Sequence, residues 1–320
     1  MHNNSVLIVM YHYVREIKDS RFPDIKGLEI DHFKHQVEYL IRNYQPISAF
    51  DLIDAIKGTK KLPHNAVLLT FDDGYLDHFT SVFPILEEAG ISGCFFPCAK
   101  SVLENKVLDV NKIHFTLSSV TDKALLVEAI NEQIKHYSKE FNLKTIEEYW
   151  IKLGKPSRYD SSDVMYIKRM LQVELPESLR NLICDKLFKE YVTDNEVSFS
   201  KELYMNLDQI RCMNKHGHYF GSHGYNHVWL NHLDPTKQEK EIQLSLEFLR
   251  MINPKMKDWI MCYPYGGYDD SLISILQSSG CVAGFSTKAE VSDLIKHNRF
   301  RLPRLDTNDL PKNADALRLI

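Results

Sequence analysis

The sequence is poor in the features that mark specialised chains. It has no long apolar run, no low-complexity segment and no internal repeat, which argues against membrane-spanning helices, disordered linkers and solenoids. Glycine (13) and proline (12) are sparse, so a collagenous or loop-dominated chain does not fit. Neither charge sign dominates: 39 Lys and Arg against 43 Asp and Glu leave a net charge of -4. Without a broad positive field or a basic patch, nucleic acid is not expected as a partner. There is no Cys-x-x-Cys pair, and Cys94, Cys98, Cys184, Cys212, Cys262 and Cys281 are scattered, which reads as reduced thiols rather than a disulfide framework. Cys94 and Cys98 sit in an apolar, strand-like run and read as buried packing rather than as a ligand pair. The apolar run at residues 6–10 is too short for a signal-peptide core and has no basic residue before it. A cytoplasmic protein without a transmembrane segment is therefore expected.

What is present is the composition of a globular protein, with 44% hydrophobic and 26% charged residues. At 320 residues the chain has room for one large α/β domain with an insertion, or for two medium domains. Short apolar runs at residues 6–11, 66–71, 94–96, 219–222, 259–263 and 281–285 predict buried strands. Helical patterns lie between several of them: Phe33, Val37, Leu40 and Ile41 behind an Asp31 cap, then Phe79, Val82, Phe83 and Leu86, then Ile242, Leu246 and Leu249 behind Asp234 and Pro235. Such alternation favours a mostly parallel sheet wrapped by helices, as a barrel or an open doubly wound sheet. Residues 102–201 break the rhythm. They are polar, with helical patterns at 123–137, 162–171 and 177–191 and a loosely ordered connector expected at 142–160. The expected organisation is a discontinuous domain, 1–101 and 202–320, interrupted by a mostly helical insertion, 102–201.

Three motifs carry chemistry. Thr70-Phe71-Asp72-Asp73-Gly74 ends an apolar run in two adjacent carboxylates and a glycine suited to a tight turn. One carboxylate can bind a metal while its neighbour serves as a base, and a helix N-cap is the plainer reading of the same aspartates. His223-Gly224-Tyr225-Asn226-His227 spaces two imidazoles four apart, which suits one late divalent ion. Tyr263-Pro264-Tyr265-Gly266-Gly267 is a stiff turn whose backbone N–H groups can cradle an oxyanion, or an ordinary loop. All three follow predicted strands, as does His12 in Tyr11-His12. In parallel α/β architectures the carboxyl ends of strands face one ligand-binding side, so these separated segments converge.

At these residues the chain resembles the polysaccharide deacetylase family, also called the NodB-homology domain or carbohydrate esterase family 4, over roughly residues 5–100 and 202–310. Residues 70–74 match its Thr-Phe-Asp-Asp-Gly motif, and residues 223–227 its His-Ser/Thr-x-x-His motif with Gly224 in place of Ser or Thr. The resemblance implies a distorted (β/α) barrel, a divalent metal on Asp73, His223 and His227, and Asp72 as general base. The Tyr265 backbone N–H would help to hold the oxyanion. Zn²⁺ is the expected ion, with Co²⁺, Ni²⁺ or Fe²⁺ also suited to the ligands.

The chain departs from the family in two places. Cys262-Tyr263-Pro264-Tyr265 replaces an Arg-x-Pro-Tyr motif whose arginine orients the catalytic aspartate. A subgroup acting on poly-N-acetylglucosamine looks similar to this chain in its early Tyr-His, its Tyr-Pro-Tyr-Gly turn and a late arginine, which makes Arg304 the candidate and Arg301 the second. The family's late Leu-x-His motif is also not evident. His12 is the candidate to protonate the leaving amine, with His297 a weaker rival. Tyr265, Trp229 and Tyr268 can wall a sugar ring or pack in the core, and Asp269 and Asp270 read as the start of a helix.

The expected function is metal-dependent removal of an N-acetyl group from an amino sugar, carried by an intracellular nucleotide- or lipid-linked sugar or glycan precursor. The alternatives are an O-acetyl esterase or other C–N amide hydrolase of the same fold, and a carbohydrate-binding protein that keeps the metal without turnover.

Overall fold

The apolar run after Asn4 forms β1 (Ser5–Tyr11), every residue of which is buried in the computed structural model. Eight further short strands follow: β2 (Gln45–Pro46), β3 (Ala66–Asp73), β4 (Cys94–Pro97), β5 (Tyr219–Phe220), β6 (Trp259–Cys262), β7 (Cys281–Phe285), β8 (Ser292–Asp293) and β9 (Leu305–Asp306). The structure describes residues 4–157 and 160–319. It comprises two units, the first made of Met1–Glu16, Gly27–Lys106 and Ser200–Ile320, the second of Ile17–Lys26 and Val107–Phe199. Residues 1–3 of the N-terminal reading lie outside the described residues. Among the described residues no helix is long and apolar enough to cross a membrane.

In the first unit β1 pairs in parallel with β3, β3 with β4, and β4 with β5. A single parallel bridge from Ser222 to Met261 leads on to β6, which pairs with β7, and a second bridge joins Phe285 to Leu302. β9 then returns in parallel to β1 through Val9 and Leu305. The ring closes, so of the two arrangements open to the sequence the structure is the distorted (β/α) barrel. β2 and β8 pair only with the first residues of β3 and β1. The carboxyl ends stay clear of them.

Side chains alternate along a strand, and β1 accordingly divides Leu7, Val9 and Tyr11 from Val6 and Ile8 between two clusters. The second cluster gathers Val6, Leu68, Phe96, Ile260, Cys262 and Phe285 from β1, β3, β4, β6 and β7. Strands on opposite sides of a ring meet only across its interior, so this is the inward face. The period of two then puts Thr70 and Asp72 inward above Leu68, while Phe71 stacks outward on Tyr11 and Phe95.

Around the barrel, Ile30–Asn43 buries Phe33, Val37 and Leu40 as expected, each worth about 1.5–3 kcal/mol of burial. Its N-cap is Glu29 and not Asp31, which lies in the first turn where a carboxylate favours the helix dipole. Ile41 is exposed. The pattern from Phe79 to Leu86 divides into a π-helical turn, His78–Val82, and an α-helix, Phe83–Glu88. Asp234 caps Pro235–Ile252 by accepting from Lys237 N.

The second unit is helical, with no strand among its described residues. Lys123–Tyr137, Ser162–Arg169 and Glu177–Tyr191 pack Leu126, Ile130, Tyr166, Leu179 and Ile183 into its own core. The connector expected at 142–160 instead contains a helix, Ile146–Leu153, closed by a Thr145/Glu148 capping box and anchored by buried Tyr149 and Leu153. Residues 158 and 159 of that stretch lie outside the described residues.

Candidate active site

Both aspartates belong to the last two residues of β3 rather than to the loop beyond it. Asp73 is turned by a positive φ of 70°, and Gly74 follows at φ 74°. A Cβ on Gly74 would lie 2.5 Å from Pro97 Cβ, so both the backbone angle and the space demand glycine there. Gly74→Ala is expected to cost about 1–3 kcal/mol, read as a lower urea midpoint. An unchanged midpoint would show that this turn has slack.

Positive φ at residues other than glycine occurs six times among the described residues: at Asn65, Asn105 and Asn142, and at Asp73, His227 and Tyr265, of which the bulky tyrosine is the least suited to it. The last three all lie at one mouth of the barrel. Such strain persists only where surrounding structure enforces it, and it clusters at functional sites.

Asp73, His223 and His227 are buried, and their ligand atoms lie within 4.8 Å of one another. Asp73 Oδ2 accepts from the Tyr75 hydroxyl at 2.5 Å. Its Oδ1 is buried without a hydrogen-bond partner, 3.4 Å from His223 Nε2 and 3.2 Å from His227 Nε2. His223 Nδ1 donates to the Cys262 carbonyl at 2.7 Å, which leaves the Nε2 lone pair toward Asp73. His227 is held by its rings' neighbours, Tyr265 at 4.7 Å and His223 at 4.9 Å.

Burial opposes charge on Asp73, yet His227 and His223 more than offset it and hold the carboxyl well below the usual range. The imidazoles respond unequally. Burial lowers His227, with His223 repelling a second charge, whereas His223 is raised well above its ordinary value against the same burial. An orphaned oxygen facing two imidazole nitrogens is a donor set that fits a divalent ion.

Asp72, 1% exposed, makes a different set of contacts. Arg304 Nη1 and Nη2 donate to its Oδ1 and Oδ2 at 3.0 and 2.8 Å. The guanidinium also donates to Ser286 O at 3.2 Å and to Thr70 Oγ1 at 3.0 Å, and Thr70 donates on to Val9 O. Burial would raise Asp72, but the Arg304 charge, then that of His223, leaves it at about 2. β9 brings Arg304 here, since Leu305 pairs with Val9 of β1. Arg301 instead pairs with Asp270 and lies over the Tyr268 ring, so the second candidate for holding Asp72 is excluded.

His12 Nε2 is 3.9 Å from Asp72 Oδ2, with a side chain 40% exposed. Its carbonyl is held by His78 Nε2 at 2.9 Å. His297 Nδ1 accepts from Asp293 N and serves its own loop. Tyr265, at φ 57° and ψ 8°, stacks on Trp229 with ring centroids 4.9 Å apart and planes 6° from parallel. Tyr268 packs against Tyr263. Asp269 caps Asp270–Ser278 by accepting from Leu272 N, as its position suggested.

Two neighbours escaped the sequence reading. Tyr75 is two residues from Asp73 and could have been suspected as its partner. Cys262 was read only as a missing arginine, yet its Sγ is 3.3 Å from Asp72 Oδ1 while its carbonyl fixes His223. Cys94 and Cys98 are buried and free, and Cys98 Sγ donates to the His223 carbonyl, apart from the ligand atoms of Asp73, His223 and His227.

A family model described as polysaccharide deacetylase matches residues 59–140 and 188–284, a span that includes Asp72, Asp73, His223, His227, Cys262 and Tyr265. The poly-beta-1,6-N-acetyl-D-glucosamine N-deacetylase of Escherichia coli is 40% identical over 87 residues, which is 27% of this chain and 12% of that protein. The match thus takes in a small part of that relative's length. Among solved structures, the Streptococcus pyogenes deacetylase PplD aligns with a TM-score of 0.59 at 15% identity, over 94% of this chain and 92% of that one. A de-N-acetylase from Aggregatibacter actinomycetemcomitans gives 0.55 at 18% identity, over 95% of each. At such identities the likeness establishes the shared fold.

Proposed function

The chain belongs to the polysaccharide deacetylase family, and from that premise we propose that it is a metal-dependent hydrolase removing the N-acetyl group of an amino sugar. One observation carries the reading. A three-ligand cluster, Asp73 with His223 and His227, lies beside a separate carboxylate, Asp72, that Arg304 holds ionised. Two adjacent aspartates with distinct partners suit distinct tasks.

Asp73, His223 and His227 would hold the ion, Zn²⁺ being the expected one. When bound it supplies an acidified water and a polarised acetyl carbonyl. Asp72 receives the attacking water's proton, and the Arg304 fork keeps its carboxylate in one orientation. The backbone N–H of Tyr265, at the strained turn, donates to the oxyanion. His12, part-exposed and within reach of Asp72 through a small movement, delivers a proton to the departing amine. Trp229 and Tyr265 offer stacked aromatic surface to the sugar.

The PplD structure is described in complex with acetate, the acid that such hydrolysis releases, which supports the reaction class here. The substrate we propose is an intracellular nucleotide- or lipid-linked precursor. The Escherichia coli relative is named for a polymer, so long poly-N-acetylglucosamine is the direct competitor. Amine and acetate release would be followed on activated N-acetyl sugars, lipid-linked sugars, polymers and O-acetyl esters. Turnover of polymer alone would overturn the precursor, and turnover of O-acetyl esters alone would overturn the amide.

Asp72→Asn keeps the shape and removes the proton acceptor. It is expected to lower kcat by about 10²–10⁴-fold while bound metal stays at its original stoichiometry. Equal rates in the variant and the original would favour a non-catalytic binding protein instead.

A further inference from the structure

We propose that the barrel mouth contains a second, thiophilic metal site, formed by Cys262, Asp72 and His223, whose occupation inhibits the enzyme. The inhibition rests on the deacetylase reading, whereas the site itself rests on geometry. Cys262 ends β6 on the inward face and is fully buried, with Sγ 3.3 Å from Asp72 Oδ1. The ligand atoms of Asp72, His223 and Cys262 lie within 4.8 Å of one another, as do those of Asp73, His223 and His227. Among the described residues these are the two such groups, and they share His223.

The sharing makes the second set antagonistic to the first. An ion there engages Asp72, the proposed base, together with an imidazole that the first set needs. Binding exchanges the thiol proton for the ion: the S–H bond breaks, a sulfur–metal bond forms, and the proton leaves to solvent, so the local charge rises by one. Arg304, bonded to the same carboxylate, opposes that rise. Only an ion with a strong bond to sulfur overcomes it. Cd²⁺ and Zn²⁺ in excess therefore qualify, whereas Mg²⁺ and Ca²⁺, which favour oxygen, do not.

The test uses the full chain loaded with one equivalent of its activating ion and titrated with Cd²⁺ or Mg²⁺. Cd²⁺ is expected to inhibit and to produce a thiolate-to-cadmium absorption in the near ultraviolet, and Mg²⁺ to do neither. Cys262→Ala and Cys262→Ser, each normalised to its own uninhibited rate, are expected to need roughly tenfold more Cd²⁺ or beyond for half-inhibition and to lose that absorption. Cys212→Ser, at the one cysteine with appreciable exposure among the described residues, should respond as the unaltered protein does. Asp73→Ala dismantles the first set alone, so its cadmium absorption should persist even if no substrate is ever turned over. Absorption unchanged in both Cys262 variants, or inhibition by Mg²⁺ equal to that by Cd²⁺, would overturn the second site. A protein that shows the absorption but no deacetylation under any condition would leave the site standing and remove only the deacetylase reading.

Discussion

Asp73→Ala is expected to abolish deacetylation, lowering kcat/KM by about 10³-fold or more, and to take the bound metal with it. The reason lies in the charge that this carboxylate carries into a buried place. Asp73 is 2% exposed, and its Oδ1 faces the two imidazoles without any other partner. Removing it leaves the two imidazoles without the carboxylate that faces both, and at one equivalent of ion the remaining pair is too weak to compete with water at that depth. The fold should survive, because the ring of β1, β3 and β4 is built on backbone pairing and apolar burial rather than on this side chain. Metal content per chain and amine release are measured together on the folded variant. Full metal content with full activity would sink the assignment of Asp73. The contrast with Asp72→Asn is the sharper result, since that variant should keep its ion and lose its rate.

Much of this site was legible because the residues follow apolar runs. Asp72, His223 and His12 each come directly after an apolar run, with Asp73 next to Asp72 and Tyr263 ending its own run, and parallel strands deliver their carboxyl ends to one side. What periodicity could not supply was the inward face. Whether Asp72 or Phe71 enters the barrel depends on a register that closure fixes, and closure depends on pairings such as Val9 with Leu305 that join the two ends of the sequence. Arg304 was reached by likeness to a subgroup, and its bidentate contact with Asp72 emerges only from the fold. Cys262 was undervalued for the same reason. A cysteine in an apolar strand reads as packing until the opposite wall is known to carry a carboxylate.

The fold was legible unevenly. Long amphipathic helices in the second unit, Lys123–Tyr137 and Glu177–Tyr191, repeat their apolar positions often enough to declare themselves. Ile146–Leu153 spans only two turns, is entered through polar residues and exposes Trp150 and Ile151, so its period is masked. The two-residue strand β5 stops early in pairing although the apolar run continues. A Cβ at Gly221 would meet Phe96 Cε1 at 2.4 Å and Ile260 O at 2.7 Å, and the chain passes there on a single bridge from Ser222 to Met261 rather than on a ladder.

Arg304→Met should damage stability and rate together, because it leaves a buried carboxylate without its counter-charge. Arg304 and Asp72 are each 1% exposed and share two hydrogen bonds. Breaking such a pair from one side typically costs about 3–5 kcal/mol, so a lower urea midpoint is expected along with a rate loss. The pH dependence separates positioning from mere destabilisation. In the intact protein Asp72 lies at about 2, burial raising it and Arg304 more than offsetting that rise. An unfolded aspartate titrates near 3.9. The folded value is the lower one, so the pair's stabilisation is fully present above about pH 4 and is lost as pH falls toward about 2. Without the guanidinium, burial acts with less opposition and Asp72 moves upward, which carries the acid limb of kcat/KM to higher pH. Arg304→Lys keeps a charge but not the planar fork, and should fall between the two in both midpoint and acid limb. A methionine variant whose acid limb coincides with that of the original enzyme would mean that Arg304 supports the barrel and not the base.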